Sequence, residues 1–365
     1  MAWTNPQVPY NALPTLPPAI TIETTSVLKK AIIANKCLAE LKGSCLRLPN
    51  PGLLLNTVIL QESKDSSAIE NIVTTQDALY QAILNPFDEI PSEVKEVLRY
   101  REAMYTGIEE MNKTGLIRSG LAVNVMCKLR GINNQGFRNI PGTKLSNPQT
   151  QKIIYTPPDP QYVADKMAQW EKFVNENSDF DPLIKMALMH YQLEAIHPFS
   201  DGNGRTGRIL NVLYLMQQNL LTQPVLYHSS YIIQNKSSYY RCLREVTEND
   251  AWESWILFML DAIIETSQIT LTFIDKMLSL KDETLAIIKT LSQKLPAYEL
   301  NEILFSLPYL KIKTLIDRNM GTRPTVTGYL DALIEKGVLR TIKVGRENYY
   351  INYKLMDLLT NPSID

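Results

Sequence analysis

A chain of 365 residues, 45% hydrophobic and with a formal charge of −1, can bury substantial cores and hold two or three domains. That balance carries no global signal for nucleic acid or membrane, and no apolar stretch reads as long enough to span a bilayer. Cys37, Cys45, Cys127 and Cys242 are scattered without metal-ligand spacing, and the chain opens without a basic-then-apolar secretion signal; together these imply reduced thiols in a cytoplasmic protein.

Residues 1–20 are rich in proline and read as an extended segment over the surface. Thr24 to Leu41 reads as the first helix. Pro-Asn-Pro-Gly at 49–52 breaks the pattern, and a second helix is predicted from Leu53 to Tyr80. Within it the run SSAIEN puts Ser66 and Glu70 four apart on one face. Residues 93–112 and 118–130 read as further helices. The exception to helical periodicity is residues 136–160. There Lys152-Ile153-Ile154-Tyr155 is a strand-like run ended by prolines, with Gly142 and Asn147-Pro148 as turns, which by itself describes a surface hairpin.

Residues 197–208 read HPFSDGNGRTGR. The apolar positions of Pro182 to Ile196 predict a helix that stops at His197, because Pro198 disfavours helical backbone in the residue before it. A second helix restarts near Asn203 or Gly204 and runs on through Ile209, Leu213 and Met216. Its first turn carries unpaired N–H groups at the positive end of the helix dipole, and a glycine-containing loop feeding such an end is an anion site. Asp201 suits a divalent cation, His197 a proton, and Arg205 and Arg208 phosphate oxygens. His190 and His228 read as structural. Further on, the rings of Tyr239 and Tyr240 suit stacking on a base, or packing between helices.

The last 85 residues change character. Leu310–Met320 and Pro324–Lys336 read as two helices around a Gly321-Thr-Arg turn. Two strands then follow, at 337–342 and 348–352, around Val344-Gly345-Arg346. This pattern resembles a winged helix-turn-helix. From residue 301 nine Lys/Arg face seven Asp/Glu, a net of +2, and the second helix carries Asp331 and Glu335. DNA or a protein are equally supported as its partner.

The His197–Arg208 run resembles the signature of the Fic family (filamentation induced by cAMP), and SSAIEN resembles that family's inhibitory motif. The resemblance implies a mainly α fold: a Fic-type helical core with a short β-hairpin flap, beside the C-terminal winged helix. The expected division is an N-terminal helical segment with the inhibitory helix (1–110), the catalytic core (111–280) and the winged helix (281–365). The implied activity is transfer of AMP from ATP to a Tyr, Thr or Ser hydroxyl of a target protein, and of the protein itself, with release of pyrophosphate. His197 is then the general base and Asp201 the ligand of Mg2+. Gly202, Asn203, Gly204, Arg205, Thr206, Gly207 and Arg208 surround the phosphates of ATP, and Tyr239 and Tyr240 its nucleoside. Lys152, Ile153, Ile154 and Tyr155 form the flap that aligns the target. Glu70, with Ser66 on the same helix, reaches Arg208 at the edge of the ATP site and inhibits transfer. The asparagine that some family members carry further on is replaced here, near Thr247. A homodimer is compatible with this scheme. Two other readings stay open: hydrolytic removal of AMP using Glu70, and a DNA-binding regulator that only senses a nucleotide.

Overall fold

The computed structural model describes residues 3, 5–46, 52–76, 78–79, 82, 89–147, 150–291, 295–306, 309–344 and 347–360. The chain divides into two compact units, residues 1–43 with 58–267 and residues 44–57 with 268–365. The Pro-Asn-Pro part of the break at 49–52 lies outside the described residues.

The chain is mainly helical, as expected. Its N-terminal elements are α1 (Thr25–Leu46), α2 (Gly52–Ile69), α3 (Ser92–Thr114) and α4 (Ser119–Arg130). After a hairpin come α5 (Pro160–Asn175), α6 (Pro182–Ile196), α7 (Asn203–Gln217), α8 (His228–Gln234), α9 (Lys236–Asn249) and α10 (Trp252–Leu291). In the first unit α6 and α7 are the central pair, packed on each other, with α5 against α6 and with α3 and α4 against α7. From Leu183 to Ile196 every residue but Glu194 is buried, and so is every residue from Asn203 to Leu215. Both are buried on all sides, which is why neither divides into an apolar face and a solvent-facing polar one.

α2 ends earlier than the sequence predicts. Asn71 adopts a left-handed φ of 66°. The Ile72 N–H donates to the Ser67 carbonyl and the Asn71 N–H to that of Ala68. This pair of bonds closes a helix by the Schellman arrangement, with asparagine in the position that tolerates positive φ. Glu70 therefore stands on the terminal turn and not inside a helix running to Tyr80, a residue outside the described set.

The hairpin forms where the strand-like run lies: β1 (Leu145–Ser146) pairs antiparallel with β2 (Ile153–Tyr155). The proline-rich N-terminus is extended but embedded, with Trp3 and Leu13 buried. Asn11 exchanges two side-chain hydrogen bonds with Asp159, and the Thr156 hydroxyl donates to the Pro6 carbonyl. Trp3 stands edge-on to Tyr155. The strap thus braces the chain leaving β2.

One described helix, α10, is long and apolar enough to cross a membrane, contrary to the expectation of none, and 56% of its most apolar window is buried inside the protein. Trp255 on this helix stacks on His190 and donates from Nε1 to the Ala187 carbonyl at 2.8 Å.

The second unit holds α11 (Ala297–Leu304), β3 (Tyr309–Leu310), α12 (Ile312–Asp317), α13 (Arg323–Glu335), β4 (Arg340–Val344), β5 (Glu347–Ile351) and α14 (Tyr353–Thr360). The sheet order β3-β5-β4, with α12 packed on α13, is a winged helix-turn-helix. The helix predicted at Leu310–Met320 is shorter, because Tyr309 and Leu310 pair with Ile351 and Tyr350 instead. Gly345 and Arg346 of the predicted wing turn lie outside the described residues. Val326, Leu330 and Leu333 face inward from α13.

Candidate active site

His197 sits where α6 stops. Its backbone is left-handed (φ 50°, ψ 59°), and its N–H still donates to Leu193 at 2.9 Å. Arg138 holds this end: its Nε donates to the His197 carbonyl at 2.8 Å, and its Nη2 to the carbonyls of Ile196 and Pro158. A cation on the last carbonyls of a helix meets both their lost hydrogen bonds and the negative dipole end. The following loop is locked by Asn203, whose side-chain amide exchanges two 2.9 Å hydrogen bonds with the backbone of Phe199. Gly202 then turns at φ 82°, and α7 begins. A helix start of this kind carries N–H groups without partners inside the helix, the feature on which the anion-site expectation rests.

Arg208 reaches back from α7 to α2. Its Nε donates to the Ser66 hydroxyl at 2.7 Å, and its Nη2 to the Ser66 carbonyl at 2.8 Å and to Glu70 Oε1 at 3.0 Å. Arg208 is 1% exposed and Glu70 28%. Burial alone would lower the guanidinium's pKa, but the charge of Glu70 and the neighbouring Tyr239, Tyr100 and Glu194 raise it. The Glu70 carboxylate also covers the start of α7: a Cβ built on Gly204 would lie 2.3 Å from Glu70 Oε1 and 2.9 Å from Arg208 Nη1. A side chain at this position would displace the carboxylate or the guanidinium from the start of α7. The same helix is fastened by two more carboxylates. Glu62 is 1% exposed and accepts from the Ser229 N–H (3.0 Å), the Ser229 hydroxyl (2.5 Å) and Tyr100 (3.1 Å), and Asp65 accepts from Tyr227. Glu62, Asp65, Ser66 and Glu70 form one stripe at helical spacing.

Asp201 lies on the loop with its side chain half exposed. Its Oδ1 accepts from the Gly202 N–H at 2.7 Å, and its Oδ2 lies 2.6 Å from Arg130 Nη1. Arg205 is ion-paired with Glu96 of α3 and stands 3.6 Å from Asp201. Among the described residues no group of three His, Cys, Asp or Glu could cage a metal. A single carboxylate beside an anion site fits Mg2+, which takes one or two protein carboxylates and completes its shell with phosphate oxygens and water.

Burial and the charge of Arg138 hold the His197 imidazole down at about 4, against the opposing pull of Glu70 and Asp201. It is neutral at pH 7 and able to accept a proton. Burial raises the Glu194 carboxyl to about 7, with Arg208 opposing and Glu70 adding to the rise. Gly207 serves packing: a Cβ on it would meet the His190 ring at 3.1 Å and Glu194 at 3.3 Å. Thr206 is buried, and its N–H makes the first bond of α7 to the Gly202 carbonyl. Tyr239 is 1% exposed and bonds His190 Nε2 at 2.8 Å, whereas Tyr240 is 43% exposed. Of that pair only Tyr240 offers a ring to a ligand. On the hairpin Lys152 is exposed, Ile153 and Ile154 are half-buried, and Tyr155 is tied down by its hydroxyl to the Ala195 carbonyl at 2.7 Å. The Thr247 and Tyr191 hydroxyls are hydrogen-bonded at 2.9 Å.

Three family profiles match consecutive stretches of the chain. Residues 28–109 match the Fic/DOC family N-terminal profile, residues 125–215 the Fic/DOC family profile, and residues 280–355 the C-terminal domain of protein adenylyltransferase SoFic-like proteins. The chain carries the two Fic/DOC family domains and a SoFic-like C-terminal domain. Among curated Fic relatives, protein adenylyltransferase fic-1 of Caenorhabditis briggsae is 34% identical over 109 residues, which are 29% of this chain and 20% of that protein. Protein adenylyltransferase Fic of Drosophila ananassae is 35% identical over 114 residues, 31% of this chain and 22% of that protein. The chain thus spans about a fifth of the length of these relatives. A Fic family protein from Desulfovibrio desulfuricans shares the fold, with a TM-score of 0.60 at 21% identity over 92% of this chain and 98% of that one. A Fic domain containing signaling protein from Bacteroides thetaiotaomicron aligns with a TM-score of 0.52 at 17% identity, over 66% of this chain and 96% of that one.

The Fic motif alone does not reveal Arg138, Arg130, Glu62, Glu96 or Glu194. Glu194 had a signal, being the one carboxylate between Pro182 and Ile196. Arg138 had none, since the carbonyls it holds are about 20 and 60 residues away. Arg138→Ala should cost about 3 kcal/mol of stability by stranding carbonyls that accept from a charged donor. It should also raise the His197 pKa, because the guanidinium disfavours the imidazolium. A denaturant melt and NMR titration of the histidines would check both.

Proposed function

We propose that this protein transfers AMP from ATP to a hydroxyl side chain, Tyr, Thr or Ser, of a target protein and of itself, releasing pyrophosphate, and that Glu70 restrains the reaction. The observation that carries this reading is a single arrangement. A neutral histidine and the anion-binding start of α7 flank one short loop, and a carboxylate from α2 lies on that helix start in the grip of Arg208.

The chemistry follows from the residues. The His197 imidazole takes the proton of the attacking hydroxyl. The new bond forms between that oxygen and the α-phosphorus, and the bond to the bridging oxygen breaks, leaving pyrophosphate. N–H groups at the start of α7 and the forks of Arg205 and Arg208 bind the phosphate charge as it shifts to the leaving group. Mg2+, held by Asp201 and phosphate oxygens, would neutralise part of that charge. Tyr240 offers a face to the base. The edge of β2 away from β1, with Ile153 and Ile154 along it and Lys152 at its entry, suits an extended target segment added by main-chain hydrogen bonds. Thiols at Cys45, Cys127 and Cys242 fit a reducing compartment, here assigned as the cytoplasm. The winged helix is assigned a docking role, for DNA or a protein.

The test uses ATP labelled on either the α- or the γ-phosphate, with the Glu70→Gly chain. Label from the α-position should stay on protein, and label from the γ-position should leave with pyrophosphate. Retention of the γ-label would make the reaction a phosphoryl transfer and overturn the proposal.

A further inference from the structure

Arg130 is the last residue of α4, and its side chain is one-third exposed beside the half-exposed Asp201. The 2.6 Å separation of Arg130 Nη1 from Asp201 Oδ2 is the shortest contact made to that carboxylate. The other oxygen is held by the Gly202 N–H, with Arg205 further off. Each oxygen of the carboxylate thus faces a positive group, and Arg130 stands on the one that the Gly202 N–H does not engage. Gly131 turns left-handed at φ 62° directly after Arg130 and ends α4 there.

We infer that Arg130 is a positioning residue that competes with the divalent cation for Asp201 and so couples metal binding to nucleotide binding. This rests on the assignment of Asp201 as the metal ligand. A cation approaching Asp201 meets the guanidinium on Oδ2 and a second guanidinium, Arg205, nearby. Like charges at such distances repel strongly where solvent is partly excluded. A triphosphate reverses the sign of the local field. It offers Arg130 another anion to pair with, releases Oδ2, and supplies the metal with oxygens that one carboxylate cannot. Metal and nucleotide therefore enter together, and Asp201 is held in place until they do. Lysine at position 130 would keep the charge but lose the planar fork.

Binding of Mn2+, followed by its electron paramagnetic resonance signal on the full chain, reads this without any turnover. In the parent, Mn2+ should bind weakly alone and much more tightly with a non-hydrolysable ATP analogue. In Arg130→Ala the affinity without nucleotide should rise about tenfold, and the gain conferred by nucleotide should shrink by the same factor. Arg130→Lys should fall between. Asp201→Asn should lose Mn2+ binding under both conditions. If Asp201→Asn binds Mn2+ like the parent, the metal assignment itself fails. If Asp201→Asn loses the metal while Arg130→Ala, folded by circular dichroism, matches the parent within twofold without nucleotide, the Arg130 inference is overturned and the assignment stands.

Discussion

Replacing Glu70 with glycine should raise incorporation of AMP, into target and into the protein itself, by about 10²-fold, the scale at which a misplaced reacting group loses rate. The reason is the shared use of one guanidinium. Arg208 can close its fork on a carboxylate or on a terminal phosphate, not on both. In the parent it holds Glu70 at 3.0 Å, and that carboxylate rests against Gly204, where phosphate oxygens would meet the start of α7. ATP entering beside it is repelled and displaced from attack geometry. The substitution removes the carboxylate yet leaves Arg208 two acceptors on Ser66. It leaves Glu62 and Asp65 fastening α2, so the fold should survive. Intact-mass measurement after incubation with ATP and Mg2+ gives the answer. Equal modification of parent and variant would rule out restraint by Glu70. If instead the parent strips AMP from a pre-modified target and the variant cannot, Glu70 serves hydrolysis.

Loss of the imidazole should be the opposite extreme. In the Glu70→Gly background, His197→Ala should lower the rate of AMP transfer by about 10²- to 10⁴-fold, the range a general base supplies. The change should do little to the loop, because Arg138 holds the His197 carbonyl and not its ring. With His197 intact, the pH profile should be distinctive. Activity needs the neutral ring, and burial with Arg138 depresses its pKa to about 4. Glu70 opposes that depression, so its removal lowers the pKa further. The rate should stay level from about pH 8 down to about pH 5 and fall only below that. A decline centred near the pKa of an ordinary histidine would place the proton on another group. A variant retaining full activity without the imidazole would remove His197 from the chemistry.

How much of this was legible beforehand varies by element. α6 and α7 were readable because a proline after His197 and a glycine at 202 punctuate two apolar runs. The hairpin was readable as a β-branched run between turns. The end of α2 was not, because nothing apolar changes at Glu70 and the stop depends on Asn71 accepting a left-handed backbone. The pair Tyr239-Tyr240 looked equivalent in the sequence, and packing separated them: the first is bound to His190 in the core, the second faces outward. Likewise the expectation that no helix could span a membrane missed α10, whose apolar length reads the same whether its neighbours are lipid or protein.

The sequence by itself determined the chemistry on offer: a histidine, a carboxylate, a glycine-bearing helix start and two arginines within twelve positions, where chain connectivity alone keeps them together. Only the tertiary structure decided how each is restrained. Arg208 meets Glu70, Arg205 meets Glu96, Asp201 meets Arg130 and His197 leans on Arg138. The partners in these four contacts lie from 59 to 138 residues apart along the chain. Charges that far apart in sequence find each other only after apolar burial has set the helices side by side, and local pattern holds no record of that approach.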